Sequence, residues 1–210
     1  MDKEQEILLK EGKLLPVLEE FYSLQGEGYH TGKAAYFARL GGCDVGCHWC
    51  DVKESWNAAS CPPVDADQII SHAAGYPAKA VVITGGEPLL YNLDYLAKGL
   101  HDRGLKTFLE TSGSSPLTGT WDWICVSPKK VSPPLPEILA KANELKAIIE
   151  DFKDFDWAEE NAGLVSDNCL LYLQPEWSLR DSMIPLVVNY IKIHPHWKIS
   201  LQSHKYMGIP

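Results

Sequence analysis

The sequence predicts an α/β fold with a mostly parallel sheet, and three observations carry that prediction. From about residue 34 onward, short apolar runs alternate with amphipathic segments, the pattern of strands connected by helices. The apolar runs lack strict alternation, which suits strands covered on both faces. The length of 210 residues fits one domain, spanning 1–210, and no repeat, low-complexity tract or linker divides it.

In chain order, AAYFARL (34–40) reads as a strand that feeds directly into a cysteine-rich loop. A probable loop holding Cys61 and Pro62-Pro63 leads to a helix from about Asp65 to Ala74, then to the β-branched strand KAVVITGG (79–86). A second helix runs from Asn92 to Arg103, with Asn92 as cap and Gly104 as stop. KTFLET (106–111) and DWICVSP (122–128) follow as strands, then the Pro-rich stretch SPPLP. ELKAIIE (144–150), CLLYLQP (169–175) and WKISLQ (197–202) supply three more strands. Between them, Asp154–Ala162 and Leu179–Ile193 read as helices, the latter started or kinked by Pro185. In such folds functional groups gather at the carboxyl ends of the strands. Here those ends carry Thr84-Gly85-Gly86-Glu87, Glu110-Thr111-Ser112, Ser127-Pro128-Lys129 and Gln174-Pro175.

Composition excludes several functions. The formal net charge of −9 argues against a general electrostatic grip on nucleic acid. The longest apolar runs fall far short of the roughly 20 residues a membrane helix needs. The N-terminus MDKEQEILLKEGK has no secretory apolar core. A cytoplasmic, reducing location follows, and with it free thiols rather than a disulfide framework. Cys125 and Cys169 lie in apolar runs and read as buried thiols.

The remaining cysteines carry the chemistry. Cys43, Cys47 and Cys50, in GGCDVGCHWCD, have the spacing C-x3-C-x2-C and leave a metal centre one ligand short. A 4Fe–4S cluster held by three thiolates keeps one iron open to a ligand that is not protein. Gly41, Gly42 and Gly46 let the backbone curl around such a group, and Trp49 can shield it. The competing reading is a zinc site completed by His48 or Cys61, at spacings zinc rarely uses. Gly85-Gly86-Glu87-Pro88 ends a strand with two glycines that admit a ligand to the backbone, a carboxylate that could meet an ammonium group, and a proline suited to start a helix.

Together the three cysteines and the GGEP segment resemble the radical S-adenosylmethionine superfamily. The segment FYSLQGEG (21–28), the FARLGGC run ending at Cys43, the SPK triplet 127–129, Leu173-Gln174-Pro175 and the ending from His204 to Pro210 resemble the 7-carboxy-7-deazaguanine synthases within it. The resemblance runs from about Glu20 to Pro210. It implies an incomplete, partial parallel β/α barrel of the radical S-adenosylmethionine type, since 210 residues are short for eight full strand–helix units. It also implies a carbon–nitrogen lyase that converts 6-carboxy-5,6,7,8-tetrahydropterin to 7-carboxy-7-deazaguanine, releasing ammonia on the route to queuosine.

Carried over residue by residue, the resemblance makes Cys43, Cys47 and Cys50 the ligands of a 4Fe–4S cluster covered by Trp49. Gly86, Ser112, Ser127, Pro128, Lys129 and Gln174 would contact S-adenosylmethionine, with Glu87 near its amine. Leu24, Gln25, Gly26, Arg39, Thr84, His204 and Pro210 would line the pterin pocket, with Glu27 as the catalytic candidate. The residue chemistry agrees: Arg39 is a fork for a carboxylate, and Gln25 and Glu27 can pair with a pterin edge. The alternative for Arg39 is a strand salt bridge, and for His204 a plain surface histidine. Pro210, bearing a free carboxylate, is expected to fold into the pocket. One position departs from the family: Val52 stands where a threonine helps hold Mg2+, and valine cannot ligate a hard cation. Weak or absent magnesium dependence is therefore expected, with Asp51 or Lys53 compensating. The resemblance further implies an electron donor such as flavodoxin or ferredoxin, a homodimer, and no direct contact with nucleic acid or membrane. A radical activase acting on a glycyl-radical partner, and a non-catalytic metal-binding module, are the alternatives.

Overall fold

The computed structural model describes residues 3–210. Helix α1 (Lys3–Lys10) precedes a long strand β1 (Leu14–Leu24), followed by β2 (Ala34–Leu40) and, beyond the cysteine loop, β3 (Pro63–Asp65) and α2 (Ala66–Ala74). Then come β4 (Ala80–Gly85), α3 (Asp94–Asp102), β5 (Lys106–Thr111), β6 (Trp123–Val126), α4 (Pro136–Leu139) and β7 (Glu144–Ile149). The chain continues through α5 (Asp154–Ala162), β8 (Leu170–Pro175), α6 (Arg180–Ile193), β9 (Trp197–Ile199) and α7 (Ser203–Met207). Among the described residues these strands form one nine-stranded sheet, order β3-β1-β2-β4-β5-β6-β7-β8-β9, which does not close on itself. From β2 to β9 all neighbours are parallel.

The expected parallel, incomplete barrel is thus present, extended by two antiparallel strands that the apolar pattern did not show. Strand β1 carries Glu19 and Glu20 and a register irregularity between Val17 and Glu19, and it pairs antiparallel with β2 and β3. Pro63, expected in a loop, and Asp65, expected to open the helix, both belong to that edge strand β3. Asp65 caps α2 by accepting from the Asp67 amide. The second helix starts at Asp94, two residues after the cap expected at Asn92, although the Asn92 side chain does accept from the Asp94 amide. Pro185 lies inside α6 rather than at its start. No helix among the described residues is long and apolar enough to cross a membrane.

Side-chain alternation explains both the core and the site. Tyr36, Ala38 and Leu40 of β2, Val81 and Ile83 of β4, and Leu145, Ala147 and Ile149 of β7 belong to the main apolar core with residues of α2, α3 and α5. Each fully buried Leu or Ile there contributes about 1.5–3 kcal/mol. The intervening residues point the other way. On that inner face Ala35, Phe37 and Val82 form a small second cluster. Towards the carboxyl ends the inner face turns polar, with Arg39, Thr84, Glu110, Lys146 and Gln174. The strands are covered on both faces, as their sequences imply, but the inner cover is a lined cavity.

Candidate active site

The cavity has a volume of about 450 Å3, within the range of small-ligand sites. Its walls bring together residues from nearly every strand end. Cys43, Cys47, Trp49 and Cys50 line one side. Gly86, Ser112, Ser127, Lys129 and Gln174 line another, and Leu24, Gln25, Gly26, Glu27, Arg39, Thr84, His204 and Pro210 complete it.

The cysteine loop and the GGEP turn are locked to each other through backbone. The Gly86 amide donates to Leu40 O at 3.0 Å and the Glu87 amide to Gly42 O at 2.8 Å. A Cβ on Gly86 would fall 2.2 Å from Gly42 O, so only glycine permits this approach. Burial raises the Cys43 and Cys47 thiols above their usual range; a metal reverses this, because a coordinated thiol is deprotonated. Lys129 lies 5.1 Å above the Trp49 ring and donates to Ser127 Oγ at 2.6 Å. Burial lowers the Lys129 ammonium below its ordinary value.

Two of the expected ligand contacts lie elsewhere. Glu87 is 1% exposed and outside the cavity lining. Its carboxylate accepts from the Leu89 amide, Thr111 Oγ1, the Ser112 amide and Ser112 Oγ, so it ties the turn to the end of β5 instead of facing a ligand amine. Pro128 also stands behind the wall while its neighbours Ser127 and Lys129 face the cavity. Cys61 is buried against Gly41, away from the cavity, and is no fourth ligand there. Cys125 and Cys169 are buried and free, as expected.

The opposite wall is ionic. Arg39 Nε donates to Glu19 at 2.7 Å, so the strand salt bridge exists, yet the residue also lines the cavity. Burial would raise the Glu27 carboxyl, but the Lys146 ammonium and the Gln202 amide outweigh it and hold the group down at about 2. His204 packs on Gly26, its Nδ1 only 2.1 Å from where a Cβ would sit, and burial lowers its pKa. Helix α7 is seated by Ser203, whose amide and hydroxyl both donate to Gly26 O. Ser23 Oγ donates to Pro210 O at 3.2 Å.

Among the polar cavity residues, Lys146, Gln202 and Lys205 were given no role by the sequence, and Glu110 was marked only as a strand end. Only Lys146 carried a signal, a charge inside the apolar run ELKAIIE. At the departing position, Val52 and Asp51 do line the cavity. Lys53, expected to supply a compensating charge, sits outside the lining, 5.9 Å from the Trp56 ring. The cation beside Asp51 is Lys205, at 2.6 Å.

Comparison with known proteins decides the family. The profile of the Radical SAM superfamily matches residues 39–156. A 7-carboxy-7-deazaguanine synthase of Flavobacterium psychrophilum is 53% identical over the full length of both chains. The chain belongs to this family of radical SAM enzymes. Its counterpart in Synechocystis is 48% identical, covering 92% of this chain and 93% of the other. The crystal structure of QueE from Escherichia coli superposes with a TM-score of 0.83 at 30% identity, covering 97% of this chain and 100% of that one.

Radical SAM enzymes carry a 4Fe–4S cluster and S-adenosylmethionine, and the residues fit them. The three thiols line one cavity together with Trp49 and Lys129, beside a Gly86 that lets a ligand approach the backbone. The wall also holds a buried donor without a protein acceptor, the Trp56 indole N–H.

Proposed function

We propose that this chain is a radical SAM lyase that converts 6-carboxy-5,6,7,8-tetrahydropterin to 7-carboxy-7-deazaguanine and ammonia in queuosine biosynthesis. The observation that carries the reading is the convergence of the three-thiol loop and the ionic Gln25–Glu27–Arg39 wall on one cavity. The bound cluster and S-adenosylmethionine supply the radical that abstracts a substrate hydrogen. Cys43, Cys47 and Cys50 hold the cluster, with Trp49 over it. Gly86, Ser112, Ser127, Lys129 and Gln174 hold S-adenosylmethionine.

The protein's own contribution is orientation and exclusion of water. Arg39 receives the substrate carboxylate. Glu27, ionised because Lys146 and Gln202 compensate its burial, accepts from the N–H groups of the heterocycle. Thr84, Leu24 and Gly26 shape the pocket, and His204 and Pro210 close it from the α7 side. Residues 1–210 act as one unit, in the cytoplasm, as a homodimer that takes its electron from flavodoxin or ferredoxin.

Magnesium is dispensable in this reading, because Val52 offers no ligand and the Lys205 ammonium already sits on Asp51. The test is anaerobic turnover after cluster reconstitution. Ammonia and 7-carboxy-7-deazaguanine are expected in equal amounts, with the rate unchanged by a magnesium chelator. Cleavage of S-adenosylmethionine without ammonia release would refute the substrate assignment. A rate that collapses with chelator and returns with Mg2+ would refute the magnesium assignment alone.

A further inference from the structure

Lys146 sits in the middle of β7 with its side chain 6% exposed. A buried ammonium without partners sheds its proton. Here Nζ donates to Glu27 Oε2 at 2.5 Å and to Glu110 Oε2 at 3.0 Å. The other Glu110 oxygen accepts from Gln25 Nε2 at 3.2 Å, and Gln25 Oε1 accepts from the Glu27 amide at 3.1 Å. Lys146, Glu27, Gln25 and Glu110 therefore form a closed ring that joins the loop after β1 to β5 and β7. Gln202 Nε2 braces the ring from outside, donating to Glu27 Oε1 at 2.9 Å.

We propose that Lys146 is a positioning residue that fixes Gln25 and Glu27 as one rigid edge for reading the 2-amino-4-oxo side of the substrate heterocycle. The inference rests on the pterin reading above. Both edge residues keep unused capacity, the carboxylate two lone pairs and the amide one lone pair and one N–H. The charge balance depends on Lys146. It faces Glu27, Glu110, Glu144 and the Cys125 thiol, and Lys129 is close enough to feel its charge. Glu27 also faces His204. Remove the ammonium, and two carboxylates share one water-poor site and cannot both stay ionised. Glu27 then becomes a proton donor where the heterocycle needs an acceptor.

The experiment is the pH dependence of pterin binding and of kcat/KM for wild type, K146M, K146R and the double variant K146M/E110Q. In K146M the acidic limb of both profiles should move up by about one unit or more, a loss of about ten-fold in affinity on that limb. K146R, which keeps the charge, should keep the limb. The double variant removes the Glu27–Glu110 pair of like charges and carries the test if K146M does not fold. Its limb should also rise, because Glu27 has lost its cation. A limb at the wild-type position in K146M or in the double variant would overturn the inference. Wild type that neither binds nor turns over the pterin would instead overturn the function reading, so the two failures are distinguishable.

Discussion

Glu87 accepts hydrogen bonds from four donors on Leu89, Thr111 and Ser112, and it is buried among them. Truncation to alanine should lower the stability of the unloaded chain by about 2–4 kcal/mol, read from chemical denaturation. A stability equal to wild type, with weakened S-adenosylmethionine binding, would return Glu87 to the ligand role its position after two glycines implies. The contrast with Lys146 shows what residue-level reading can reach. The three cysteines, the GGEP turn and Gln25–Glu27 lie in short contiguous motifs, so their convergence was legible. Glu110 and Lys146 meet only because parallel register brings one inner face together, and Gln202 joins them only because α7 folds back over the cavity; spacing along the chain encodes neither.

At the scale of elements, α7 shows how tertiary contact overrides local propensity. Five residues are too few for a stable helix in water. Ser203 on Gly26, Lys205 on Asp51 and the Trp177–Tyr206 edge contact hold it over the cavity instead. Strand β1 was hidden for a related reason: its pattern of Glu19 and Glu20 among apolar residues acquires meaning only beside β2. The helices whose apolar faces pack on the sheet were legible, and α5 was located to its end residues. Because α7 depends on few tethers, K205A should loosen it without unfolding the sheet. Amide hydrogen exchange should quicken across residues 203–209 while that of β4 and β7 stays unchanged, and KM for the pterin should rise several-fold. Unchanged exchange in that segment would show that Lys205 is not a tether.

Across the whole molecule, buried ionisable groups make stability a function of pH, and two of them oppose each other. Burial, with Glu110 nearby, pushes the Glu144 carboxyl up to about 7 from its ordinary 4.5. Between those values the native state holds a proton that the unfolded state has released, so this contribution is full below pH 4.5 and is lost as pH rises towards 7. His30 runs the other way: burial and Lys33 push it down to about 4 from 6.5, so its contribution is present above 6.5 and lost as pH falls. Over the shared window these two slopes offset each other. E144Q keeps a carbonyl oxygen for the Tyr29 amide and the Trp123 indole, which both donate to one Glu144 oxygen. It removes the falling limb, so its advantage over wild type should grow from pH 5 to pH 7.5, reaching on the order of 1–3 kcal/mol. Urea midpoints measured across that range decide the matter. Parallel curves for the two proteins would mean that Glu144 is ionised throughout and contributes nothing to the pH dependence.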